Sequence, residues 1–436
     1  MNLLAAANPE GEFVGIDAIE GHVRHARSVA RAARLSNVRF LHCTFEQALA
    51  RRFKAFDYVF AHGVYTWVSD TNADRLFELA RRFLKPGGLY AMGYNVEPGW
   101  SSLRPVQRLL FELGQRECTH DQGPAITRAL QRLSELTRAG ARALSLPPHA
   151  ARIVEMLPGL PVSYLTHEYL NSAWRPVFVT EAHARARQHG LEFVASANVE
   201  TRRMDFVLRS EAREIVAAQE DPVLREFLID LCLNRSFRSD VFTREGRRLP
   251  RARTRSRRLA GRYALLRPRR GLDYTLHTAA GRLRFDNRAA RALTRALEAS
   301  PCRLADVAAR VPGLRCSEAD LLNVADALLA ARIIAPVDPR KRVQPVPLND
   351  LLRRRIDSGD GLNVQVGSHG TAFAVPMLDQ ILIHLNLHGR PTRGALAAYL
   401  DAHDLEMDEA GSQDFLKTAL AGWTARRRIY ETLGVM

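Results

Sequence analysis

EFVGIDAIEGHVRHA, residues 12–26, runs from a short apolar segment into an aspartate and then into an amphipathic pattern. Phe13-Val14-Gly15-Ile16 reads as a strand closed by Asp17. Val23, Ala26, Val29 and Ala30 then recur near helical spacing, with Arg24, Arg27 and Arg31 on another face. The unit is strand, turn, helix. In nucleotide-binding α/β sheets an acid at the carboxyl end of the second strand accepts hydrogen bonds from both ribose hydroxyls, because an ionised carboxylate has two acceptor oxygens and a diol has two donors. Asp17 stands at such a position. The competing reading makes it an N-cap of the helix that follows.

The next segments repeat the pattern. NVRFLHCTFEQAL (37–49) supplies a strand from Val38 to His42 and a turn; FDYVFAHGVYTWV (56–68) supplies a buried strand, Tyr58 to Ala61, followed by polar and aromatic residues. LFELARRFLKPGGLYAMGYNVEPGW (76–100) reads as an amphipathic helix stopped at Pro-Gly-Gly and a strand from Leu89 to Tyr94. Strands alternating with helices at roughly thirty-residue spacing predict an α/β, Rossmann-like doubly wound parallel sheet.

FVGID, FDYVFAHGVYTWV and LKPGGLYAMGYN, in this order and spacing, resemble the class I S-adenosylmethionine-dependent methyltransferases. The resemblance implies S-adenosyl-L-methionine as cofactor, with Asp17 on the ribose and Ile19 along the adenine. After the third strand, where the family often has an acid for the adenine amine, this chain has Cys43-Thr44-Phe45; Phe45 is then expected to stack on the ring and Thr44 to accept one hydrogen bond. The family places a first strand and a G-x-G-x-G loop some twenty residues before the acid-ending strand. Here only MNLLAAANPEG precedes it, and those residues look like the helix that follows the loop. The expectation is a methyltransferase sheet lacking its first strand and glycine-rich loop, from a reading frame that starts upstream.

Composition narrows the class. The chain has 436 residues, 46% hydrophobic and 25% charged, which is ordinary for a folded protein of two to four domains. No apolar run reaches the length of a membrane span, and the N-terminus lacks a basic-then-apolar signal pattern. Cys43, Cys118, Cys232, Cys302 and Cys316 form no C-x-x-C pair, and His167-Glu168 lacks the second histidine of H-E-x-x-H, so no metal site is expected. Free thiols in a reducing cytoplasm account for them. The net charge of +16 is concentrated in TREGRRLPRARTRSRRLAGRYALLRPRRG (243–271). Such a run either attracts polyanions or is a solvated linker, and Pro250, Pro268 and the glycines favour the linker.

Five segments follow from these patterns: a methyltransferase domain over 1–210 with a helical insertion at about 99–160, a region over 160–250, the basic linker 243–271, a winged-helix-like domain over 272–340, and a small helical domain over 345–436. Within the first, FVTEAHARARQHGLEFVASANVETRRMDFVLRS predicts a helix ending at Gly190, a strand from Leu191 to Ser196 and a second strand from Met204 to Leu208. HEYLN (167–171), WRP (174–176) and NRSFRSDVF (234–242) resemble the regulatory region beside the methyltransferase domain in a bacterial group that includes rickettsial protein lysine methyltransferases. Arg235, Arg238 and Asp240 also read as an internal ion-pair network. In the winged-helix-like stretch the second helix carries Glu318, Asp320 and Asp326, which repel phosphates and favour a protein-packing role over nucleic-acid binding.

Methyl transfer from a sulfonium is an in-line displacement that needs alignment and a neutral nucleophile, not a metal or a covalent intermediate. His62-Gly63-Val64-Tyr65-Thr66-Trp67 supplies aromatic faces and a flexible turn, and Tyr94-Asn95 adds a hydroxyl and an amide. Tyr65, Trp67 and Tyr94 are the expected walls of a methyl-acceptor pocket, with Asn95 beside them; His62 is expected at the cofactor or as a general base. Tyr65 and Trp67 have an alternative reading as core aromatics covering the sheet. The class resemblance points to an amine acceptor, protein lysine. A regulatory protein built on a degenerate methyltransferase domain is the competing function, and a nucleic-acid-binding protein a third.

Overall fold

The computed structural model describes residues 1–117, 122–145, 148–338, 347–354, 362–367, 370–403 and 413–436. Cys118, Ser368 and His369 lie outside the described residues. The chain divides into two compact units: Met1–Thr44 with Leu249–His277 and Arg282–Met436, and Phe45–Arg248 with Thr278–Gly281.

In the first unit, β1 (Phe13–Asp17) and β2 (Val38–His42) pair in parallel, from Phe13 opposite Val38 to Asp17 opposite His42, and are joined by the Glu20–Ala32 helix. They pair with each other alone among the described strands. The N-terminal helix, Asn2–Ala7, is closed by Asn37, whose Nδ2 donates to the carbonyls of Ala5, Asn8 and Gly11. A two-stranded layer cannot bury its apolar faces unaided. Ala6, Ala7 and Ala33 therefore pack with Leu348, Leu352 and Val366 from the C-terminal part of the chain. The two units meet along the chain after Thr44 and after Arg248.

The basic stretch 243–271 contains a mostly exposed helix. Ten of its residues form the Arg251–Ala260 helix, which buries Leu259. Arg255 bonds Glu318 at 2.7 Å, and Arg258 pairs with Asp326. The acids of the Glu318–Ala330 helix that oppose nucleic acid are thus partly answered by arginines of this same unit. Asp320 closes a capping box with Ser317 at that helix's start.

In the second unit a four-stranded sheet runs β3 (Phe56–His62), β4 (Leu84–Asn95), β6 (Phe237–Thr243), β5 (Glu192–Ser196) in spatial order. β3 and β4 are parallel, and β6 is antiparallel to both β4 and β5. The expected helix before β4 ends at Phe83, earlier than the Pro-Gly-Gly. Lys85 to Gly88 instead bulge out of β4, between the Phe56–Leu84 and Tyr58–Leu89 pairs, and Gly87 takes φ +77° there.

Two strand expectations change. Met204–Val207 is a helical turn, and the antiparallel partner is β6, which begins 30 residues later at Phe237. Phe206, Val207 and Leu208 are buried, and a short apolar run does not distinguish a core strand from a core helical turn. β3 is an edge strand rather than a buried one: Tyr58 and Phe60 are 60% and 56% exposed, their rings stacked 6.2 Å apart, while Val59 and Ala61 face the core.

The core of this unit gathers Phe77 from the Asp70–Phe83 helix, Tyr90 and Tyr94 from β4, and Phe242 from β6. The helical stretch after β4 has a second core of its own around Trp100, Leu110, Ile126, Leu133 and Tyr169.

Candidate functional site

In the second unit the predicted acceptor residues lie at the carboxyl ends of the parallel strands β3 and β4. His62 ends β3 and is exposed, with its ring edge-on to Phe237 at 5.3 Å. It can lie across β4 because its partner there is Gly93: a Cβ at that position would come within 2.2 Å of His62 Nδ1. Gly63, at φ +66°, turns the chain into the short 3₁₀ helix Tyr65–Trp67.

Two of the expected walls are core residues. Tyr65 packs edge-on to Phe77 at 5.4 Å and to Tyr94 at 5.7 Å, and burial pushes its hydroxyl pKa up. Tyr94 is fully buried, and its hydroxyl donates to Asp240 Oδ2 at 2.8 Å. Asp240 in turn holds Arg238 through two bonds, at 2.9 and 3.0 Å, and lies 3.0 Å from His183 Nε2. Arg238 continues to Asp230 at 2.7 Å and to Glu226 at 2.7 Å. The expected ion-pair network is therefore present, and Tyr94 joins it. Burial alone would raise the Asp240 carboxyl; Arg238, helped by His183, outweighs it and holds the pKa at about 2.

Trp67 and Asn95 occupy the layer above. Trp67 is buried and stacks on His167 at 6.2 Å, and its indole Nε1 has no hydrogen-bond partner among the described residues. Asn95 donates from its backbone N–H to Thr66 Oγ1 at 3.2 Å and from Nδ2 to Glu168 Oε1 at 2.8 Å. Trp174 Nε1 donates to the same oxygen at 3.0 Å. Asn171 Nδ2 donates to the Trp67 carbonyl, and the Arg175 N–H donates to the Thr66 carbonyl at 2.8 Å. Glu168, Asn171, Trp174 and Arg175 were not among the predicted site residues. Their signal is the conspicuous HEYLN and WRP strings, for which the sequence alone offers no chemistry.

The predicted cofactor residues divide between the units. In the first, Asp17 ends β1 with its carboxylate partly open: Oδ1 accepts from the Ile19 N–H at 2.8 Å, and Oδ2 lies 3.2 Å from His22 Nδ1. The helix N-cap is Ile19, not Asp17. Ile19 is 56% exposed, an apolar face presented beside a carboxylate, which fits the ribose and adenine of a nucleoside. Thr44 is exposed in the same unit. Phe45 falls in the second unit, partly buried against its core.

Comparison with known proteins agrees with these elements. Residues 1–135 match a methyltransferase domain, and residues 161–244 match a predicted methyltransferase regulatory domain. The structure of PKMT2 from Rickettsia typhi in complex with AdoHcy superposes with a TM-score of 0.71 at 17% identity, covering 99% of this chain and 91% of that one. An uncharacterised protein of Synechocystis is 28% identical over 311 residues, and one of Rickettsia prowazekii is 27% identical over 241. The matched stretches cover 70% and 54% of this chain, but only 60% and 42% of those relatives' own length. The fold is that of the class I S-adenosylmethionine-dependent methyltransferases. Along the chain, a stretch similar to a methyltransferase domain precedes one similar to a methyltransferase regulatory domain.

Proposed function

We propose that this protein is an S-adenosylmethionine-dependent methyltransferase whose acceptor is an amine, with protein lysine as the substrate class. When bound, the cofactor supplies a methyl group on a sulfonium, whose S–CH₃ bond breaks as the acceptor's new bond forms and whose electron pair stays on sulfur. Asp17 takes the ribose hydroxyls through its free lone pairs, and exposed Ile19 covers one adenine face. His62 stays mobile at the end of β3. Trp67 and Asn95 bound the acceptor, while Tyr65 and Tyr94 support that layer from below.

The observation that carries this reading is the gathering of Trp67, Asn95 and buried Glu168 at the carboxyl ends of β3 and β4, where ligands bind in open α/β sheets. The AdoHcy-bound rickettsial structure supports the cofactor. The resemblance of HEYLN, WRP and NRSFRSDVF to the region beside the methyltransferase domain in rickettsial protein lysine methyltransferases supports the lysine reading. Unpaired Cys43, Cys232, Cys302 and Cys316 support a reducing, cytoplasmic setting. Among the described residues no helix is long and apolar enough to cross a membrane.

The test is calorimetric titration of S-adenosylhomocysteine into the chain and into Asp17→Ala. Saturable binding lost in the variant supports the reading. An absence of binding favours a regulatory protein, in which Asp17 serves only the turn that its bond to Ile19 already makes.

A further inference from the structure

Glu168 is the buried acid of the Val162–Tyr169 helix, 5% exposed, inside the stretch that matches the regulatory domain. Its Oε1 is occupied by Asn95 Nδ2 and Trp174 Nε1. Among the described residues its Oε2 accepts no hydrogen bond, and neither does Asn95 Oδ1. The amide is oriented by its bond to Glu168, so its carbonyl is an uncommitted acceptor beside a carboxylate with an uncommitted oxygen. Trp67 is tied to the same stretch: Asn171 donates to its backbone carbonyl, and its ring stacks on His167, which neighbours Glu168 in the chain.

A buried carboxylate without a cationic partner is costly. Tyr94, Asp240 and Arg238 answer one another below, but Glu168 has only neutral donors in Asn95 and Trp174. Burial pushes its pKa up, against the hydrogen bonds of Trp174 and Asn95 and the charge of His167. An arrangement with a desolvated carboxylate, an adjacent amide carbonyl and an aromatic wall is chemically complementary to a primary ammonium group, which carries three donors and one positive charge.

We propose that Glu168, with Asn95 Oδ1, is the amine-binding end of the acceptor site, and that Glu168 is the base that readies the amine. This rests on the methyltransferase reading for its chemistry. The ammonium nitrogen passes one proton to the Glu168 carboxylate and keeps the electron pair; that pair forms the N–CH₃ bond, leaving a methylammonium product. Glu168 then returns its proton to water. The regulatory region thereby contributes a catalytic side chain to the methyltransferase site.

The experiment uses the full chain and n-butylamine as the probe, with n-butanol as its uncharged counterpart, read by tryptophan fluorescence. Saturable binding of n-butylammonium but not n-butanol is expected. It should weaken as the pH falls through the raised Glu168 pKa, a readout that needs no variant. Glu168→Gln keeps an acceptor for Asn95 and Trp174 and should weaken amine binding at least about tenfold, as expected for a lost charge-assisted bond, with circular dichroism unchanged. Glu168→Asp should fall between the two.

Equal binding of n-butylamine by wild type and Glu168→Gln, or equal response to n-butanol, overturns the proposal. S-adenosylhomocysteine titration of the same samples separates the two readings. Amine binding without nucleoside binding leaves the amine site standing and removes the methyltransferase, and the reverse result removes only the site.

Discussion

The Tyr94 hydroxyl donates to the Asp240 carboxylate at 2.8 Å, joining neighbouring strands from positions 146 residues apart. β4 carries Asn95, the proposed acceptor-side residue, and β6 carries Arg238 and Asp240. The bond therefore ties the floor of the candidate site to the regulatory stretch. Replacing Asp240 by Ala leaves Arg238 buried without its main partner. A loss of about 3–5 kcal/mol is expected by urea denaturation.

The same carboxylate makes stability depend on acid in a defined window. Its folded pKa of about 2 lies below the usual aspartate range, so its contribution is fully present above the unfolded pKa and is lost as pH falls through the folded one. The stability gap between wild type and Asp240→Asn should be constant from pH 7 to about 5 and should narrow toward pH 2. A gap that stays level down to pH 2 would mean the carboxylate is not held in its charged form.

Glu168 has the opposite sign. Burial raises its pKa, so its ionisation opposes folding progressively as pH rises from the unfolded value through the folded one. Glu168→Gln should therefore be as stable as wild type at pH 4 and more stable at pH 8. Paired urea midpoints at the two pH values check this, and a variant less stable at pH 8 contradicts it.

Gly93 has a narrower role. A methyl group there would collide with the His62 ring, so Gly93→Ala should cost about 1–3 kcal/mol and displace the imidazole from Phe237. The displacement should appear as a loss of the ring-current shift on the His62 proton resonances. An unmoved resonance would place the adjustment in the backbone instead.

On the first unit's surface, Arg255 and Glu318 are both more than half exposed, 2.7 Å apart. A double-mutant cycle should return about 0.2–1 kcal/mol at low salt and near zero at ~1 M salt. A coupling that survives high salt would show that the pair is shielded from solvent.

Much of the local structure is legible in the sequence. Val38–His42 is the strand that its pattern predicts, and Asp17 ends a strand. These are short-range consequences of side-chain periodicity and turn chemistry, which each segment carries by itself. The basic stretch 251–260 and the acidic helix 318–330 are also visible as charge patterns, but not their pairing with each other.

What the tertiary structure alone decided is which polar groups share a buried space. Helical periodicity in the chain says nothing of Met204–Val207 yielding the sheet position to Phe237–Thr243, because both are short apolar runs and strand pairing selects between them. Nor does it show that Tyr94 is consumed by Asp240 while Asn95, one residue on, reaches Glu168. Successive residues of a strand face opposite sides, and their partners lie 146 and 73 positions away. The sequence by itself determined a strand-helix chain with an acid, aromatics and an amide at strand ends. Long-range packing determined which of them a substrate can still reach, because burial and hydrogen-bond satisfaction depend on neighbours distant in the chain.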